Sequence, residues 1–196
     1  MREWIKNFLD KYGCKKGHPK RVEKYSLKFF ELTKGILHDF SEKEIEYLET
    51  GACLHDVGYS VSSKEHHKHS YDVIMGENLD GMNSEQKKIV ANIARYHRGS
   101  MPKENHKNFI LLEERQKELV KKLGGIVKLA DGFDGCPFAP ECEMDIAFDD
   151  RNRVVCFRIF TSEDYSYEAL KPVLRKKDLF EEGFDVQVLF VFSSGC

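Results

Sequence analysis

An imidazole and a carboxylate stand side by side, His55-Asp56, where an apolar helical pattern runs into a glycine in Ala52-Cys53-Leu54-His55-Asp56-Val57-Gly58. Successive residues of a helix point about 100° apart, so neighbours in mid-helix do not serve one cavity. At a helix end that restriction relaxes, and Gly58 supplies the expected stop. A fold that buries this pair must bring partners to it, because a lone buried carboxylate is costly unless it is paired or bound to a cation.

The partners are legible as polar residues on apolar helix faces. His97 follows Ile93 by four positions and Ile89 by eight, so it shares their buried face. Asp131 lies four residues past Val127, and His69 four before Val73. His18 opens a helix in Lys-Gly-His-Pro. Each residue alone reads as a satisfied core group. Together they require several separate polar burials, or one cavity for a divalent cation. Such a cation lowers the pKa of water and makes it a nucleophile near neutral pH, so the pattern points to a metal-dependent phosphohydrolase.

The rest of the chain through about residue 136 is helical in pattern. Trp4, Ile5, Phe8 and Leu9 mark a first helix, and Val22, Tyr25, Phe29 and Leu32 a second that ends near Gly35. Ser41 with Glu44 is a capping-box signature for a third. Residues 59–68 read as a polar connection, 69–77 as a helix, and Asn83 to His97 as another. Residues 108–134 read as two helical segments. After Cys136-Pro137 the character changes. Residues 144–148 and 153–160 read as strands, 165–180 as a helix and 185–192 as a third strand. The expected architecture is mainly α: a helical body over about 1–136, with a β-β-α-β cap over about 140–196, most simply a small antiparallel sheet backed by one helix. That cap either walls the pocket or meets a second copy, so a homodimer stays open.

Composition narrows the classes. Apolar residues make up 41% and charged residues 33%, which argues against disorder. A formal net charge of −2 excludes bulk attraction to nucleic acid, and no basic-aromatic groove pattern supports a nucleic-acid partner. No apolar run is long enough to span a membrane, and the first residues lack a secretory signal, so a cytoplasmic location is expected. The cysteines at 14, 53, 136, 142, 156 and 196 form no disulfide framework and are expected to be reduced.

A phosphoryl substrate needs positive charge beside the cation. Arg95 and Arg98 flank His97, and Arg98 is favoured because it starts the loop beside that residue. Lys64, Lys68, Lys103 and Lys128 are weaker candidates. Either His66 or His67 is expected to reach the site, whereas His38 and His106 read as surface or capping residues.

Ala52–Gly58, followed by Lys-Leu-Ala-Asp-Gly-Phe-Asp at 128–134, resembles the HD superfamily of metal-dependent phosphohydrolases. The resemblance narrows with Glu-His-His-Lys-His-Ser-Tyr at 65–71, the segment Val90–Gly99 and Asp-Leu-Phe-Glu-Glu at 178–182. Together these blocks resemble the C-terminal HD-like domain of the exopolyphosphatase/guanosine pentaphosphate phosphatase family, from about His18 to the end. In that family the domain follows an actin-like ATPase-fold portion; here it looks like the HD-like domain standing alone. Some members have lost the aspartate of the pair, but Asp56 is kept.

The resemblance implies an HD-type helical bundle in which His18, His55, Asp56 and Asp131 form a four-ligand set. It further implies that His69 and His97 complete a two-ion site bridged by Asp56. Manganese, magnesium, iron or nickel suit such mixed ligands. Asp56, His97 and Arg98 are the expected catalytic residues. The expected substrate is a nucleotide, a guanosine polyphosphate or another small phosphate ester, cleaved by in-line attack of activated water. The alternative is a non-catalytic module that binds polyphosphate or a nucleotide.

Overall fold

Helices account for the first two thirds of the chain because apolar residues recur there at helical spacing and polar caps fix the ends. In the computed structural model, which describes residues 1–193, α1 spans Glu3–Lys11 and α2 spans Gly17–Thr33. Helix α3, Glu42–Leu54, begins at the expected capping box, with Ser41 accepting from the chain and Glu44 reaching back to the Ser41 amide. Helices α4 (His66–Gly76) and α5 (Ser84–Tyr96) follow, the latter capped reciprocally by Asn83 and Gln86. A short α6, Lys107–Ile110, leads into the long α7, Glu114–Asp134. Ile89, Ile93, Leu123, Ile126, Val127 and Ala130 are buried, as their spacing predicts.

Gly58 does not end α3. His55 is the capping residue, and Gly58 lies in a 3-10 turn, Val57–Ser60. Its lack of a side chain serves a close approach: a Cβ there would collide with the His66 carbonyl and the Ser70 amide. The Gly58 amide donates to Ser70 Oγ (2.9 Å), and that hydroxyl donates to the His55 carbonyl (2.6 Å). Ser70 thus clamps the start of α4 against the end of α3.

The C-terminal part holds strands β1 (Glu143–Asp149), β2 (Val154–Phe160) and β3 (Gln187–Ser193), in spatial order β1-β2-β3. The expected antiparallel sheet is instead mixed. Strands β1 and β2 form an antiparallel hairpin, but β3 runs parallel to β2. The connection between β2 and β3 carries a 3-10 turn, Tyr167–Leu170, then α8 (Lys171–Leu174) and α9 (Asp178–Phe184) across one face. A crossover of that kind returns the chain in the same direction, which a tight hairpin cannot do. The single helix expected over 165–180 is therefore three short pieces.

Both parts share one apolar core. Phe29 of α2 packs edge-on against Phe133 of α7, and also against Phe157 of β2 and Phe190 of β3. Helix α9 lies close on α7 because Gly125 carries no side chain; a Cβ there would sit 2.7 Å from the Phe180 Cα. Among the described residues, no helix is long and apolar enough to cross a membrane. The described cysteines are free thiols; Cys196 lies outside the described residues.

Candidate metal centre

Five helices end or begin around one polar chamber. His18 comes from the first turn of α2, His55 and Asp56 from the end of α3, and His66 from the first residue of α4. His97 caps α5, and Asp131 lies in the last turn of α7. Asp56 is at the centre. One of its oxygens lies 3.4 Å from Nε2 of both His18 and His55. The other lies 3.3 Å from Nε2 of His66 and 3.4 Å from Nε2 of His97. Asp131 lies 3.4 Å from His18 Nε2 and close to the ligand atoms of His55 and His97.

The outer nitrogens fix which inner atoms are offered. Nδ1 of His55 donates to the Ala52 carbonyl (2.7 Å), and Nδ1 of His97 donates to the Ala94 carbonyl (2.6 Å). Nδ1 of His66 points at the Ser63 carbonyl (3.3 Å), and Nδ1 of His18 donates to Asp134 (2.8 Å). Each acceptor lacks a proton of its own, so each ring carries its proton outward and turns the Nε2 lone pair inward. The lone pairs then face one another, 3.2 Å apart for His18 and His55 and 3.2 Å apart for His66 and His97. Only a proton or a cation between them relieves that repulsion. These spacings also match the edge of a coordination shell with metal–nitrogen bonds of about 2.1 Å. The donor set therefore fits a divalent metal.

The charge balance agrees. Burial alone would raise the Asp56 carboxyl, yet the surrounding imidazoles of His55, His18 and His66 hold it well below the usual range. Asp131 is likewise held low against its burial by His18, His55 and His97. Hydrogen bonds to Asp131, Asp134 and Asp56 push His18 up to about 11. His97 moves the other way, down to about 3, because it is fully buried beside His55. Arg21 holds Asp134 through Nε (2.6 Å) and Nη2 (2.9 Å), so the acid that orients His18 is itself fixed. Lys176, from the turn between α8 and α9, pairs with Asp131.

A cavity of about 330 Å³ opens onto His18 and Asp56, lined also by Tyr12, Cys14, Lys15 and Tyr59. Tyr59 stacks on His66 with centroids 4.0 Å apart.

Of the expected ligands, His18, His55, Asp56, His97 and Asp131 come together, and His69 does not; His66 takes that place. The cause is the start of α4, three residues earlier than its pattern indicates, which turns His66 inward. His69 is half-buried outside the cluster. Arg98, the favoured arginine, is exposed, whereas Arg95 is buried. Lys64 and Lys103 are exposed, and exposed Lys68 pairs with Glu65. Lys128 does not face the chamber: it is buried and bonded to Asp178 (2.8 Å), tying α7 to α9. His38 is buried rather than superficial, with Nε2 3.2 Å from Thr33 Oγ1. Sequence reasoning missed Asp134 and Lys176. Asp134 carries a readable signal, being three residues past Asp131 on the same helix; Lys176 carries none.

The family model for Ppx/GppA phosphatase, domain III, matches residues 2–135, which include every member of the cluster. The chain therefore belongs to the Ppx/GppA phosphatase family and carries its domain III over the helical part of the fold.

Proposed function

We propose that the protein is a metal-dependent phosphohydrolase that acts on a nucleotide, a guanosine polyphosphate or a related small phosphate ester. The observation that carries this reading is Asp56, whose two carboxylate oxygens each meet a separate pair of imidazole nitrogens. Such a carboxylate would suit two cations: His18, His55 and Asp56 would hold one, and Asp56, His66 and His97 the other, with Asp131 within reach of the same groups. Divalent cations there supply Lewis acidity, lowering the pKa of water and drawing charge from phosphoryl oxygens. Manganese, magnesium, iron and nickel all suit the mixed ligand set.

The chain's own residues do the rest. Backbone carbonyls and Asp134 hold the rings in one tautomer, so no reorientation is needed at the moment of reaction. The opening beside His18 admits a phosphate ester to Asp56. Lys176 can exchange its bond to Asp131 for a phosphoryl oxygen, which stabilises the added charge of in-line attack. Membership in a phosphatase family supports the reaction class.

The test is purification with elemental analysis, followed by assay with generic phosphate esters and a nucleotide panel in excess Mn²⁺. Hydrolysis that disappears in Asp56→Asn and with chelator supports the proposal. A metal-loaded protein that hydrolyses none of them overturns it, and retained polyphosphate binding would then return the binding-module reading.

A further inference from the structure

Beyond the chamber, on the side of His97, two polar atoms are buried without a hydrogen-bond partner: Nη1 of Arg95 and Nδ1 of His67. Arg95 is only 8% exposed. Its guanidinium lies 5.3 Å over the Tyr96 ring, which offsets part of the cost of removing it from water. Glu65 and Asp72 act on it through space, without making up for burial. A buried guanidinium is expensive unless an anion pairs with it.

Arg95 forms a wall of a cavity of about 370 Å³, together with Lys68, Tyr71, Asp72, Lys107 and Asn108. Lys68 is paired with Glu65, which leaves Arg95 and Lys107 against Asp72 and a lining that is still net positive in a chain whose net charge is −2. The ring of His67 lies 5.8 Å from that of His66 and 6.4 Å from that of His97. His67 thus stands beside two histidines of the metal cluster.

We propose that this cavity is an oxyanion subsite that takes a phosphate group, gripped by the Arg95 guanidinium with Lys107 at its rim. The planar fork of arginine matches two phosphate oxygens at once, and none of the side-chain hydrogen bonds among the described residues uses an Arg95 nitrogen. Binding of the anion stands on this geometry alone. The cavity shares no lining residue with the opening at His18 and Asp56, so an anion held here is separate from a phosphate at the metal cluster.

The experiment is calorimetric titration of chelator-treated full chain with pyrophosphate and, separately, with a nucleoside diphosphate. Pyrophosphate is expected to bind without metal. Arg95→Met should weaken it by about tenfold to a hundredfold, the loss of one or two charge-assisted hydrogen bonds. Lys24→Met, on a distant surface, should leave it unchanged. If Arg95→Met fails to fold, exposed Lys107→Met should still weaken binding, and pyrophosphate should shift the Tyr71 and Asn108 amide resonances. Equal affinity for both ligands assigns recognition to the phosphates, and tighter nucleotide binding adds a base contact. Absence of metal-free pyrophosphate binding, or unchanged affinity in both the Arg95 and Lys107 variants, overturns the subsite. Arg95-dependent binding in a protein that hydrolyses nothing would keep the subsite and remove the phosphohydrolase reading instead.

Discussion

His66 and His69 lie nearly one turn apart on α4, and only His66 offers its nitrogen to Asp56. His66→Ala is therefore expected to lower metal content measured by elemental analysis, and His69→Ala to leave it unchanged. Asp134 acts one step further out, by orienting His18. Asp134→Asn should weaken metal binding by about 10–100-fold, the usual cost of losing such a partner, read by competition with a chromophoric chelator.

Protonation gives an independent check on the same residues. His97, depressed to about 3 by burial, and His67, depressed to about 4 by burial and by Arg95, bind fewer protons folded than unfolded below the ordinary value of 6.5. They cost stability as the pH falls from 6.5. His18, raised to about 11 by its carboxylates, contributes stability that is complete below 6.5 and lost as the pH rises toward 11. Denaturation midpoints in chelator at about pH 5, 6.5 and 9 should peak near the middle value. Of the six members of the cluster, His97 and Asp131 were legible from their place on apolar helix faces, and His18, His55 and Asp56 from the helix-end pair and the family resemblance. The sixth was not, because the first turn of α4 has no cap residue to mark it: Glu65, which precedes it, has a left-handed backbone and makes no side-chain cap.

The elements meet by backbone proximity as much as by side-chain packing. Gly58 lets α4 reach the end of α3, and the sequence shows that glycine without showing which of its uses applies. A glycine past a helical stripe reads as a stop, whereas here it makes room for the His66 carbonyl and the Ser70 amide. Gly58→Ala should destabilise the protein by about 1–3 kcal/mol, as overpacking does, and displace His66. A lower denaturant midpoint together with lower metal content checks both effects. The helix caps were legible because Ser41, Glu44, Asn83 and Gln86 act locally. The direction of β3 was not, since it depends on a crossover of helices between positions far apart in the chain.

Across the whole molecule, the C-terminal sheet is part of the same core as the helices that carry the candidate metal ligands. Phe157 touches Phe29 on one side and Phe180 on another. Phe157→Ala is expected to cost about 3–5 kcal/mol, with one cooperative transition in chemical denaturation rather than separate loss of the sheet. Lys176 extends that dependence to the site, because it reaches Asp131 from beyond the segment that matches the family. The cluster draws on positions from His18 to Asp131, with its members spread over most of the chain between them. In a denatured chain those donors wander as a dilute set, and gathering them demands the closure of several long loops. An ion bound there would gain little from the disordered ensemble, and nearly all of its affinity would fall on the native form. Loading would then lengthen survival against a protease that cuts only opened molecules, and scavenging the ion would shorten it without any change in sequence.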